Sequence, residues 1–338
     1  MEIRTEINNR FLAIDLIKAI AMIMVLALHT GVQATFLPNS ICQKLVYCTA
    51  CIAVPLFYMA SGYILSNKQL NWSYAKRKIR GILKFVFLTT TFFLIGYYIF
   101  DYIAYGHCTA PFFRLYTYFT WIIQAGITWH YWYFGPMIII YAVCPWLAII
   151  IQSKHLGKII CILFFISFSM FIIDYYYHYE SKYIPGTFRL YYWFMYFLIG
   201  AYIRKNHHHF KFVGWPLAIS VGICYAIYQL LAPQDLGKGF HFGTLSSVIY
   251  TSTIFIACTN TKINNKNTFI SNISALFLPV YSLHIYLYNA YDFMGNLFLH
   301  YLEPNLRCII TLIIYITLTI IICWGLVKIP IFNKIFRI

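Results

Sequence analysis

Charge is what this sequence has least of. Asp, Glu, Lys and Arg together make up 10% of its 338 residues, against about 25% in an ordinary soluble domain. A globule folded in water needs a charged surface, and this chain cannot furnish one. That excludes a cytosolic enzyme, a nucleic-acid-binding module and a disordered chain. Acidic residues are scarcest: nine Asp and Glu stand against 25 Lys and Arg, for a net charge of +16. The strict apolar–polar alternation of a membrane β-barrel is also missing, as are low-complexity linkers and internal repeats. The short local signatures of common catalytic sites are absent too. There is no Gly-x-Ser-x-Gly elbow, no Gly-rich phosphate loop and no His-Glu-x-x-His. Nor is there a His followed five residues later by Asp.

Apolar residues fill the space that charge leaves. They form 61% of the chain, and its mean hydropathy is +0.70. Apolar runs of about 20 residues recur along it, each long enough to span about 30 Å of hydrocarbon as a helix. The runs predict ten helices, over 11–32, 46–66, 82–103, 129–151, 157–174, 188–204, 212–232, 243–260, 275–297 and 307–328. The expected fold class is therefore all-α: a polytopic membrane helix bundle forming one domain over residues 1–338. The first run lacks a small-residue cleavage site and is too long for a signal peptide.

The basic residues orient the bundle. With the N-terminus inside, the inner segments carry 18 Lys and Arg, the outer loops 6, and one, Lys18, lies within a span. This bias puts both termini in the cytoplasm. The aromatic stretch 112–128, interrupted by Arg114 and Gln124, reads as an outer loop lying in the interface. An eleventh span there would move more basic residues outside than inside.

Charged residues inside spans cost at least about 2.5–3.5 kcal/mol each, so each one is informative. The first run holds Asp15, Lys18 and His29. Asp15 and Lys18 are one helical turn apart and can pair. Lys18 and His29 are separated by just over three whole turns, so they share a face about 16 Å apart along the axis. His130 opens the fourth run at the depth of His29, and reads equally as a site residue or a member of an aromatic belt. His284 lies in the ninth run, where an interhelical hydrogen bond would account for it, and Asp292 follows two turns further out. Arg77 and Arg80, at the inner start of the third run, serve topology, and a phosphate-binding cluster would look identical. Cys48 and Cys51 have redox spacing without a redox context. His207, His208 and His209 sit in a basic inner loop.

Taken together, these blocks resemble the membrane-bound acyltransferase 3 family. Lys18 and His29, with ten residues between them, match its first motif, preceded by Asp15-Leu16-Ile17 where the family often has Asp-Leu-Leu. Val54-Pro55-Leu56-Phe57-Tyr58-Met59-Ala60-Ser61-Gly62-Tyr63 is similar to its second block. Arg77 and Arg80 fall at its basic third-helix start, His130-Tyr131-Trp132-Tyr133-Phe134 at a His-Leu-Trp-Phe block, and Ser282-Leu283-His284-Ile285 at a late Tyr-Leu-x-His segment. Lys18 stands where Arg is commoner, keeping one charge but not the planar fork.

The resemblance implies an integral membrane O-acyltransferase. Such an enzyme moves an acyl group, usually acetyl, from cytoplasmic acyl-CoA to a hydroxyl of a cell-envelope sugar, polysaccharide or glycolipid. It implies a bacterial plasma or inner membrane, acyl-CoA as donor substrate, no metal and no nucleic acid, and a membrane domain without an appended esterase-like domain. By the same resemblance His29 and His130 are the catalytic candidates. Lys18, Arg77 and Arg80 would hold the donor, and Asp15, Ser61 and His284 would be structural or orienting. The competing class is a transporter or flippase for a lipid-linked glycan, to which intramembrane charges and Pro55, Pro136 and Pro279 are equally suited.

Overall fold

Proline decides where the long apolar runs bend. It lacks an N–H and its ring clashes with the carbonyl four residues back, so it is tolerated only in a helix's first turn. The computed structural model, which describes residues 2–32, 40–107, 115–231, 242–263, 268–299 and 301–336, follows that rule. Helices α1 (Glu2–Val32), α2 (Ile41–Ala50), α3 (Ala53–Leu65) and α4 (Trp72–Tyr105) open the chain. Pro55 lies in the first turn of α3, just after the break at Cys51 and Ile52. A 3-10 stretch, Trp129–Tyr133, leads into α5 (Phe134–Ala142), whose first turn holds Pro136. Then α6 (Cys144–Gln152) starts with Pro145, and the two helices meet at 71°.

The middle of the chain supplies α7 (Leu156–Tyr177), α8 (Tyr179–Tyr183), α9 (Leu190–Lys205), α10 (Trp215–Leu231) and α11 (Leu245–Asn260). The last part supplies α12 (Thr268–Ala275), α13 (Phe277–Phe298), α14 (Pro304–Lys328) and α15 (Pro330–Phe336). Pro279 sits in the first turn of α13, which departs from α12 at 59°. Among the described residues there is no strand.

Each run read from the sequence coincides with a helix, a broken helix or a bent pair. By length and composition, however, five segments among the described residues qualify as membrane crossings, or seven if each bent pair is one span. The rest fall short because α9, α10 and α11 are 16, 17 and 16 residues long, under the roughly 20 that an upright crossing takes.

The centre of the bundle is α3 against α9. α3 is apolar on all sides and almost entirely buried, as a helix without a solvent face must be. Two glycines let the backbones touch. A Cβ on Gly62 would lie 1.8 Å from the Phe197 carbonyl oxygen, and one on Gly200 would lie 2.0 Å from that of Met59. Association inside a membrane depends on such close packing, since lipid is as apolar as the helix. α1 runs beside α3, α12 and α13, which sets the face carrying Lys18 and His29 against the bent pair.

One polar knot closes the region between α7 and α9. Glu180 on α8 is 2% exposed, with Arg189 Nη1 at 3.5 Å from its carboxylate. The Tyr191 and Tyr192 hydroxyls donate to the same carboxylate. Burial pushes this carboxyl up, while the two hydroxyls and the guanidinium pull it back.

Candidate functional site

The inner half of the site is a cavity of about 310 Å³ between α1, α3, α4, α5 and α13. Lys18, Lys68 and Lys78 bring three ammonium groups to its wall, beside Ser61, Tyr74, Tyr133 and Tyr141. Lys18 differs from its sequence reading. Asp15 forms no ion pair with it. Instead Asp15 accepts hydrogen bonds from Ser274 Oγ at 2.8 Å and Ser271 Oγ at 3.0 Å, both on α12. The carboxylate is thus used to tie α1 to α12. Lys18 is left half-buried and facing the cavity, with Asp15 one turn away to moderate its charge. Ser61 also lines the cavity, although its hydroxyl is spent on the Phe57 carbonyl of its own helix at 2.9 Å.

Arg77 and Arg80 are exposed on α4 and do not line the cavity. The Arg77 guanidinium lies 5.5 Å from the centre of the Tyr74 ring. The basic residue of that run that does reach the cavity is Lys78. Helix phase explains it: Ala75, Ile82, Phe85 and Thr89 are buried, and Lys78 falls on their three-and-four spacing. Neither Lys78 nor Lys68 was singled out from sequence. That spacing would have found Lys78; nothing local marks Lys68.

Beyond the cavity comes a layer of rings. Phe57 and Phe277 are 4.5 Å apart between centroids, Phe57 and Tyr133 6.0 Å, Tyr133 and Tyr281 5.8 Å, and Phe277 and Tyr281 5.7 Å. No histidine lines the cavity below this layer.

On the far side three imidazoles from distant parts of the chain converge. The His29 ring of α1 lies 4.7 Å from that of His284 on α13, and His284 lies 5.5 Å from His130 of the 3-10 stretch. Trp129 packs beside His29 at 6.2 Å and beside His130 at 6.0 Å. His130 and His284 are 2% and 1% exposed, whereas His29 is only half-buried.

Their hydrogen bonds fix what they can do. His284 Nδ1 meets the Tyr281 carbonyl at 2.8 Å and that of Val280 at 3.2 Å, both on its own helix. The interhelical side-chain bond expected for His284 is therefore not made. Its carbonyl instead receives the Tyr315 hydroxyl of α14 at 2.8 Å. His130 Nε2 meets the Ser282 carbonyl at 3.2 Å. Carbonyls only accept, so each of these nitrogens carries the proton of a neutral ring. The remaining nitrogens, His130 Nδ1 and His284 Nε2, are buried lone pairs without a partner. Neutral His130 can accept a proton but cannot donate a hydrogen bond to an oxyanion. Among the described residues no group of three His, Cys, Asp or Glu side chains is arranged to hold a metal ion, the three histidines included. The side chain of Asp292 and the whole of Arg114 lie outside the described residues.

An acyltransferase domain family model matches residues 11–328, from the first turns of α1 to the end of α14, and takes in every residue of both halves of the site. The chain belongs to the acyltransferase 3 family. No curated protein and no solved structure matches it. Membership makes this a membrane acyltransferase. In family terms, the first motif supplies Lys18 to the cavity and His29 to the imidazole cluster, from one face of one helix.

Proposed function

We propose that the protein is an O-acyltransferase moving an acyl group, acetyl in the first instance, from cytoplasmic acyl-CoA to a hydroxyl of a cell-surface sugar or polysaccharide. The observation that carries this reading is the half-buried Lys18 ammonium, unpaired with Asp15 and facing a cavity on the same helix face as His29. A cation that forms no direct ion pair suits an anionic ligand, and acyl-CoA is one. Lys68 and Lys78 would take phosphates at the inner mouth, with Arg77 and Arg80 exposed nearby on α4. The pantetheine arm would run up the cavity and pass the Phe57–Tyr281 layer to present its thioester at His29.

His29 would act as general base. An imidazole titrates near neutrality and suits proton transfer at physiological pH. The acceptor hydroxyl gives its proton to a bare ring nitrogen of His29 as its oxygen attacks the thioester carbonyl. The C–S bond then breaks, and the departing sulfur takes the proton back. The products are an ester and free CoA thiol, with His29 neutral again. His130 is the reserve base. On this reading ten helices cross the plasma or inner membrane of a bacterium, with both termini cytoplasmic, and the acceptor arrives from outside.

The bends of 71° and 59° in the two helix pairs favour a second reading, a transporter or flippase for a lipid-linked glycan, because broken helices are a device of alternating access. One experiment separates the two. Purified protein is incubated with radiolabelled acetyl-CoA and a glycan acceptor. Label on the glycan supports the transferase, and glycan translocation without label supports the transporter.

A further inference from the structure

His284 does more than join helices. Its Nδ1–H is pinned by two carbonyls of its own helix, so its Nε2 must be the lone pair, and that atom is buried with no partner. A buried acceptor left unmade is costly and calls for an explanation. Four hydroxyls nearby are committed elsewhere. Ser282 Oγ donates to Leu278 O at 2.8 Å, Tyr315 to the His284 carbonyl, Tyr281 to the His130 carbonyl and Tyr286 to the Ile127 carbonyl. His130 offers no proton either, because its nitrogen without a partner is also a lone pair. Of the three rings packed against His284, which are His130, Tyr281 and His29, the one left to offer a proton is His29, 4.7 Å away between centroids and tilted by 55°. His29 is also the only half-buried ring of the three histidines.

We propose that His284 is a positioning residue for the transfer. Its Nε2 receives one N–H of His29, which selects the other His29 nitrogen as the bare one that meets the acceptor hydroxyl. The inference rests on the reading of His29 as base. When His29 takes the hydroxyl proton, the hydrogen bond to His284 supports the imidazolium. When the sulfur leaves, that proton passes to it and His284 is unchanged. This is the service that a buried Asp gives the histidine of a serine-protease triad, performed here by a neutral imidazole whose own tautomer is locked by helix carbonyls. The titratable groups facing His284 are His29 from α1, His130 from the 3-10 stretch, Tyr281 from its own helix and Tyr315 from α14.

The test uses full-length protein purified in lipid nanodiscs, radiolabelled acetyl-CoA and two variants. His284→Phe keeps a ring but has no lone pair. His284→Gln keeps an oxygen that can accept. The expected result is that His284→Phe lowers kcat about 100-fold, the lower end of what acid–base catalysis is worth, with KM for acetyl-CoA little changed and the pH profile of kcat displaced. His284→Gln then recovers about tenfold of that loss. Equal impairment of both variants with an unmoved pH profile would mean a structural role and overturn the proposal, as would near-normal kcat in His284→Phe. If His284→Phe does not yield folded protein, the His284→Gln profile decides: an undisplaced pH profile at full kcat overturns it. His29→Gln is run alongside. Activity there defeats the reading of His29 itself, whereas an inactive His29→Gln beside a fully active His284→Phe defeats only this inference.

Discussion

The two ends of the site work by opposite physics. At the inner end three lysines stand around an open cavity of about 310 Å³. Ammonium groups on flexible stems can follow a ligand, and loss of one weakens binding by degrees. At the outer end three imidazoles are packed together, two of them sealed and held in one tautomer by backbone carbonyls. Those two rings have little room to adapt, so a change at this end should cost far more than one at the inner end. On the proposed reading, the contrast teaches that charge would recruit the donor at the open cavity, while proton chemistry would be kept among the packed rings.

The largest effect should come from the outer end. His29→Ala is expected to reduce transfer at least about 1,000-fold, well within the range of a lost general base. Membrane insertion and expression should persist, because the apolar count that drives insertion is untouched. Acylated glycan per unit of membrane protein, in a strain lacking the native gene, reads this out. Next in size is a change that takes down both ends together. Gly62→Ala puts a methyl group against the Phe197 carbonyl, and such overpacking costs about 1–3 kcal/mol. The yield of monodisperse protein and its thermal midpoint should fall, with any folded fraction keeping both KM and kcat.

Smaller effects should confine themselves to the inner end. Lys78→Ala is expected to raise KM for acetyl-CoA about tenfold, near the low end for a hydrogen bond to a charged group, with kcat unchanged. Arg77→Ala combined with Arg80→Ala should raise KM by only about threefold and lose that effect in high salt, since exposed charges are screened. A kcat effect from either lysine or arginine variants would blur the division between the two ends.

Much of the fold was legible because hydrophobic length and proline position are local signals. The ten apolar runs mark the helices, and Pro55 and Pro279, two of the prolines read as breakers, fall just after breaks; Pro136 lies in the first turn of α5, and the 71° bend comes instead at Pro145, which was not singled out. The bend angles were not legible, because they depend on what each helix packs against. The Asp15–Lys18 pairing was misread for a related reason. The serines that claim Asp15 lie more than 250 residues away in the chain, and spacing on one helix cannot reveal a partner on another. The basic run at 76–80 was read as a block, whereas helix phase sends Lys78 inward and Arg77 and Arg80 outward. The aromatic layer was invisible because Phe, Trp and Tyr make up 20% of the chain and no four of them stand out. The histidines were each visible as misplaced polar groups. Their convergence was not, and the two locked tautomers could come only from the carbonyls that lock them.

The account stands most directly on the kcat of His29→Gln, measured with radiolabelled acetyl-CoA and glycan acceptor alongside donor binding by the same protein. Glutamine keeps a hydrogen-bonding group in place but takes up no proton. The account predicts that acetyl-CoA still binds while kcat falls by at least about 100-fold. Near-normal kcat with intact binding would contradict it, remove His29 from the chemistry and leave His130 as the base.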